Sequence, residues 1–139
     1  MLITRRIVRI TWGDCDPAGI VWYPRYFGMF DHSTEMHFEA AGYPKPEMIK
    51  AFDVVGYPMV DTRAKFHIPS KFGEDITIET CVKSWRRSSF DTEHRVLKGD
   101  TLSIEAFETR VLVKRDPATG GIKACPVPRE MIDAMTKSA

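Results

Sequence analysis

From Tyr23 to Ala41 apolar residues recur at helical spacing and spread well beyond a single stripe. Phe27, Phe30, Thr34, His37 or Phe38, and Ala41 fall at three- and four-residue intervals, and Tyr26, Met29 and Met36 widen the face. A helix so broadly apolar has to be enclosed by other structure rather than laid on a surface. Gly42 supplies its C-terminal stop. The rest of the chain must then provide the wrapping.

The wrapping reads as strands. Before the helix, Val8, Ile10 and Trp12 alternate with Arg9 and Thr11, the pattern of a strand with one buried face. A short helix is expected from Pro46 to Phe52, with Pro46 suited to a first turn. After Pro58 the period returns to two. Val60, Thr62, Ala64, Phe66 and Ile68 oppose Asp61, Arg63, Lys65 and His67, and Ile76, Ile78, Thr80 and Val82 alternate with Thr77, Glu79, Cys81 and Lys83. Phe90 to Leu97 and Leu102 to Lys114 make two more strands, joined by the Lys98-Gly99-Asp100 turn. In the second of these the alternation slips between Ala106 and Phe107, which predicts a bulge.

A turn cluster at Asp116–Gly121, a short strand near Ile122–Cys125 and a terminal helix from Arg129 to Met135 complete the chain. No repeat, low-complexity run or linker interrupts the 139 residues, so one domain spanning 1–139 is expected. A strand, a long helix, then four or five strands is an α+β order: an antiparallel sheet curled around one helix. A single sheet on one helix leaves its other face and its edges in need of cover, which predicts a homo-oligomer.

Composition narrows the partners. A net charge of +1, from 20 basic and 19 acidic residues, argues against general attraction to nucleic acid or to membrane. Cys15, Cys81 and Cys125 are an odd set without metal-ligand spacing, as expected in a reducing cytoplasm. Met1 to Trp12 has no signal-peptide apolar core, and no apolar run is long enough to span a bilayer. His32, His37, His67 and His94 lack metal-site spacing, and neither GxGxxG, GxxxxGK[ST] nor GxSxG occurs, so no metal or cofactor is expected.

The chemistry concentrates just ahead of the long helix, in Gly13-Asp14-Cys15-Asp16-Pro17-Ala18-Gly19-Ile20-Val21-Trp22-Tyr23-Pro24. Pro17 and Gly19 let this loop turn sharply. A carboxylate beside an exposed helix N-terminus puts a general base or nucleophile next to unpaired backbone N–H groups, a setting suited to an oxyanion. Asp14 and Asp16, two residues apart, point the same way if the chain is extended. Cys15 has no adjacent base and reads as a small loop residue. Asp31 lies two helical turns beyond Pro24 among Phe27, Met29 and Phe30, where a carboxylate faces solvent or needs a partner. Arg86-Arg87 is either a solvated strand end or a pair of forks suited to phosphate.

The whole string at residues 13–24 resembles the signature of hot-dog-fold acyl-CoA thioesterases, in their 4-hydroxybenzoyl-CoA thioesterase-like branch. Val55–Val60, Ile76–Val82 and Trp85–Phe90 resemble the same branch in the same order, so the likeness runs through about two thirds of the chain. The resemblance implies hydrolysis of an acyl-CoA, with aromatic acyl groups favoured by Val21-Trp22-Tyr23-Pro24. It implies that Asp16 is the catalytic carboxylate and that the Tyr23 N–H polarises the thioester carbonyl. It puts Trp22 and Asp31 toward the acyl group, Asp31 facing a ring hydroxyl, and Arg86 and Arg87 toward the phosphates of coenzyme A. Ser88 departs from the lysine expected there. Dimers that pair into tetramers are also implied. A short-chain acyl-CoA thioesterase and a non-catalytic acyl-CoA-binding module are the alternatives. A carboxylate placed for bond cleavage speaks against the second, and a His-centred dehydratase signature is missing.

Overall fold

The long helix opens at Pro24, which has no N–H to satisfy, and stops where Gly42 adopts a φ of +95°. There the Gly42 N–H donates to the Glu39 carbonyl and the Tyr43 N–H to the Phe38 carbonyl, each at 2.9 Å, which closes a Schellman motif. In the computed structural model, which describes residues 1–137, this helix is α1 (Pro24–Ala40). It follows β1 (Thr4–Arg9) and a 3-10 turn (Trp12–Asp14). After it come α2 (Lys45–Phe52), β2 (Met59–Phe66), β3 (Asp75–Trp85), β4 (Ser89–Lys98), β5 (Thr101–Val111), β6 (Val113–Arg115), β7 (Ile122–Ala124) and α3 (Arg129–Thr136).

Five strands form one antiparallel sheet in the order β1-β3-β4-β5-β2, and β6 and β7 pair separately. The sheet curls around α1, which buries Tyr26, Phe30, Ser33, Thr34, His37 and Phe38 against it. Two apolar clusters result. Tyr26 and Phe30 pack with Ile10, Ile76, Ile78, Val96 and Ile104 at one end of the helix. Phe38 packs with Val82, Phe90, Leu112 and the α2 and α3 methionines Met48, Met131 and Met135 at the other. Between them the inward positions are polar: Thr34, Thr80, His94, Glu108 and Arg110, none more than 3% exposed. Among the described residues no helix is long and apolar enough to cross a membrane.

Several expectations are corrected. No bulge separates Ala106 from Phe107: β5 keeps register with both neighbours from Glu105 to Thr109, and its buried side runs Ile104, Ala106, Glu108, Arg110. What reads as a slip is a buried ion pair in an unbroken strand. The irregularity falls instead at Val96/Leu97, where Ser103 is the extra residue. The strand expected from Leu102 to Lys114 breaks at Leu112, whose N–H and carbonyl are taken by Ser88 and Cys125. Trp12 leaves the buried face and is 75% exposed, because the Asp14 carboxylate accepts the Thr11 N–H and folds the chain into the 3-10 turn. Helix α1 is enclosed on one side only, with Asp31, His32 and Met36 exposed. Strand β2 is a sheet edge, and its apolar residues Val60 and Phe66 are exposed as well.

His37 generates a prediction. It is fully buried, its Nδ1 lies 2.7 Å from Thr4 Oγ1, and its other ring nitrogen has no partner among the described residues. Burial, with His94 nearby, pushes its pKa down to about 4. The unfolded chain therefore takes up this proton first as pH falls below about 6.5, and the native state loses stability until its own pKa is reached. Unfolding free energy should drop by about 2 kcal/mol more in the wild type than in His37→Gln between about pH 7.5 and about pH 5. Urea titrations showing the same drop in both would assign the acid sensitivity elsewhere.

Candidate active site

The loop ahead of α1 is closed on itself by its own backbone. The Asp16 N–H donates to Ile20 O at 3.0 Å and the Gly19 N–H to Asp16 O at 2.9 Å, with Gly19 at a φ of +82° that favours glycine. Asp16 Oδ1 accepts the Ala18 N–H at 2.8 Å, while Oδ2 has no hydrogen-bond partner among the described residues. The loop is tied to the segment after β2 by the Val21 N–H, which donates to Ser70 O at 2.9 Å. Asp14 has a different job. Its Oδ2 accepts both the N–H and the hydroxyl of Thr11 at 2.9 Å, so it holds the 3-10 turn. The Cys15 thiol contacts the Thr11 carbonyl at 3.6 Å.

Just beyond the loop a backbone donor is left over. The Trp22 N–H donates to Asp14 O at 2.9 Å and Pro24 has no N–H, so the Tyr23 N–H stands between them without a partner among the described residues. It lies at the positive end of α1, where an oxygen carrying negative charge is favoured. Carboxylate and free donor thus sit on one braced loop. Beside them an apolar cleft of about 300 Å³ is lined by Ile20, Tyr23, Tyr26, Phe66 and Pro69. The Phe66 ring stands 6.4 Å from Tyr23, 5.8 Å from Tyr26 and 6.4 Å from Phe27. Thr62, Ala64 and Phe66 pair with Glu108, Ala106 and Ile104, so they share the sheet's inner face, yet α1 leaves that part uncovered. Trp22, 54% exposed, stands on the open side of the loop.

Asp31 lies seven residues, or about 10 Å, along α1 from Pro24. Its side chain is 59% exposed, and Oδ1 accepts Arg110 Nη2 at 2.8 Å. Arg110 is buried and donates through Nε to Glu108 Oε1 at 3.0 Å. Glu108 Oε1 also accepts the Thr34 hydroxyl at 2.7 Å, and Oε2 lies 3.3 Å from His94 Nε2. His94 Nδ1 lies 2.8 Å from Thr80 Oγ1. Burial alone would push the Glu108 carboxyl up, but His94 and Arg110 together outweigh it and hold the pKa at about 2. Removing one partner of such a pair leaves a buried charge uncompensated, at a cost of roughly 3–5 kcal/mol. Sequence reasoning missed this group, although a signal was present: Glu108, Arg110 and His94 all have the strand parity of buried apolar neighbours.

The structure separates the two arginines. The Arg86 fork grips Asp91 through Nη1 at 3.0 Å and Nη2 at 2.7 Å, and its Nε donates to Ser89 Oγ at 2.8 Å. Arg86, with Ser84 and Thr109, keeps the Asp91 carboxyl well below the usual carboxylate range. Arg87 is exposed, and its side chain makes no hydrogen bond to the described residues. Of the histidines, His94 and His37 are core groups, while His32 and His67 lie outside beside Glu35 and Glu105. Among the described residues no group of three His, Cys, Asp or Glu side chains is placed to hold a metal ion.

An antiparallel sheet curled around one long helix, with a carboxylate-bearing loop at that helix's N-terminus, is the hot-dog arrangement. The chain belongs to the thioesterase-like superfamily, whose sequence profile matches residues 10–135. It is 37% identical over 131 residues to the 4-hydroxybenzoyl-CoA thioesterase of Pseudomonas sp. (strain CBS-3), an overlap covering 90% of this chain and 92% of that one. An aspartate-to-asparagine variant of a 4-hydroxybenzoyl-CoA thioesterase, solved in complex with 4-hydroxybenzoyl-CoA, matches with a TM-score of 0.87 at 34% identity, over 96% of this chain and 99% of that one. A gentisyl-coenzyme A thioesterase matches with a TM-score of 0.82 at 28% identity, over 96% of this chain and 100% of that one.

Proposed function

We propose that this protein hydrolyses an aromatic acyl-CoA thioester, of the hydroxybenzoyl or benzoyl kind, to the free acid and coenzyme A. The observation that carries the reading is the unpartnered Tyr23 N–H on the same braced loop as the Asp16 carboxylate, beside a cleft walled by aromatic rings. The thioester carbonyl oxygen accepts the Tyr23 N–H, which stabilises the negative charge as the carbon becomes tetrahedral. Asp16 either takes the proton of an attacking water or adds to the carbonyl itself, giving an anhydride that water then cleaves. In both routes the carbon–sulfur bond breaks and the sulfur leaves with the electron pair. The names of the three relatives, all aryl-CoA thioesterases, support the aromatic choice.

Further roles belong to the same reading. Asp31 Oδ2 accepts a hydrogen bond from a hydroxyl on the acyl ring, and Trp22 borders the entrance to the acyl site. Arg87 holds a phosphate of coenzyme A, while Arg86, already committed to Asp91, shapes the strand end that presents it. One hot-dog domain spans the chain. A second copy covers the open inner face of β2 and the uncovered side of α1, so the site is completed in a dimer, which can pair again into a tetramer. A cytoplasmic setting fits three cysteines that all stand free.

Asp16→Asn keeps the side chain's size and the Ala18 bond but loses the base or nucleophile. Its kcat in a thiol-release assay with a panel of aryl- and alkyl-CoA thioesters should fall by about 10²–10⁴-fold, with substrate binding retained. Near-normal turnover would remove Asp16 from the mechanism, and an inactive Asp14→Asn beside it would transfer the role to Asp14.

Arg87→Ala should raise KM for a CoA thioester by about three- to tenfold with kcat little changed, because a remote phosphate contact persists into the transition state. The effect should shrink at high salt and vanish with a pantetheine thioester that lacks the nucleotide phosphates. Equal losses on both thioesters would make Arg87 a structural residue.

Sedimentation should find the active particle to be a homo-oligomer. A monomer that stays active on dilution would overturn the shared-site reading.

A further inference from the structure

We propose that Arg110 is a positioning residue for the acyl ring: anchored on the buried Glu108–His94–Thr80 chain, its guanidinium fixes one oxygen of Asp31 so that the other is presented to a ring hydroxyl. The proposal rests on the reading of Asp31 as the acceptor for that hydroxyl.

Charge balance alone does not account for the contact. The buried Glu108 already neutralises the buried Arg110, through Nε at 3.0 Å and Nη2 at 3.3 Å. Asp31 is a second carboxylate on the same guanidinium, and it belongs to a different element and to the open side of α1. A carboxylate 59% exposed on a helix surface would otherwise wander among rotamers. Here it is held by a donor that cannot move, because Arg110 is clamped from three directions. Glu108 holds it along the strand, the Tyr57 carbonyl accepts Nη1 at 3.3 Å, and the Tyr57 ring lies 5.5 Å beneath the guanidinium carbon.

Glu108 is itself locked to α1 by the Thr34 hydroxyl at 2.7 Å and flanked by His94, whose other nitrogen meets Thr80. The chain therefore runs from β3 through β4 and β5 and ends at one exposed oxygen on α1. The planar fork serves two carboxylates and a carbonyl in fixed directions, a geometry that the compact, rotatable ammonium of lysine does not reproduce. Arg110 touches neither the reacting carbonyl nor the leaving sulfur in this scheme, so it acts through Asp31. Its effect belongs in discrimination between acyl rings rather than in bond cleavage.

The test is a double-mutant cycle read on selectivity, the ratio of kcat/KM for 4-hydroxybenzoyl-CoA to that for benzoyl-CoA. Arg110→Lys should lower this ratio by about tenfold, with most of the loss appearing as a higher KM for the hydroxylated substrate. Asp31→Asn should lower it by a similar factor. In the Asp31→Asn background, Arg110→Lys should change the ratio no further. If Arg110→Lys does not fold, Glu108→Gln decides: it keeps the shape of the anchor, loosens the arginine, and should lower the ratio by about threefold, again only when Asp31 is present. Losses that are equal on the two substrates, or that multiply in the double variant, would make the network a structural one and overturn the proposal. A normal ratio in Asp31→Asn would overturn the hydroxyl-acceptor reading and this proposal with it. A reduced ratio there with a normal one in folded Arg110→Lys or Glu108→Gln would overturn this proposal alone.

Discussion

A carboxylate buried in the middle of the core is the constraint to which the rest of the structure answers. Glu108 is 2% exposed, and a charge in that position is tolerable only if every nearby element brings it a donor. Helix α1 brings Thr34, β4 brings His94, and β5 brings Arg110 from two residues along the same strand. A rotation of α1, or a slip of one residue in β4 that exchanges its two faces, would take Thr34 or His94 away from Glu108. The two apolar clusters on either side supply most of the burial, yet Leu-for-Met or Ile-for-Val exchanges could satisfy them in several registers. The polar belt between them admits one. Contacts of this kind give specificity of arrangement more readily than net stability.

The sheet's geometry explains why the site is open. Five strands curl far enough to cover one side of α1 and no further, so β2 ends the sheet with its inner face beside the helix rather than under it. The aromatic cleft lies in that gap, between Phe66 on the strand and Tyr23 and Tyr26 on the helix. A sheet edge with unpaired N–H and carbonyl groups is normally shielded. Under the proposed function the same exposure would admit a flat acyl group and receive another copy of the chain, and a sixth strand closing the gap from within would remove the cleft.

How much of this could be read in advance depended on which residues carried the pattern. Helix α1 and strands β3 and β4 announce themselves because their inward positions are apolar at one period, and the Schellman stop is written in Gly42. The loop chemistry was legible because its residue types are unusual together: a carboxylate, a proline and a glycine immediately before a helix. Trp12 faces outward against its hydrophobicity because the Asp14 cap turns the chain first. Glu108 and Arg110 are the opposite case. Period-two reading treats a charged residue as outward, so two inward charges look like a shift of phase, although they keep the parity of Ile104 and Ala106. The division between Arg86 and Arg87 was equally hidden, since it depends on Asp91 across a hairpin.

The two ends of the proposed site are joined by the most rigid object available. The free Tyr23 N–H marks the start of α1 and Asp31 sits about two turns later on the same helix. An unbroken hydrogen-bonded helix cannot stretch, so the separation between the Tyr23 N–H and the Asp31 carboxylate is fixed by residue count. Loops would allow that separation to vary, and a pocket built on them would accept acyl groups of many lengths. With one group at the head of α1 and the other on it, and with Arg110 holding the second against the sheet, the helix would work as a ruler. Under the proposed function, a flat acyl group whose far hydroxyl falls at the right distance would meet both groups at once, whereas a shorter or flexible chain would meet only the first. On that reading selectivity would come from the backbone that also organises the core, which ties the polar belt to the loop ahead of α1.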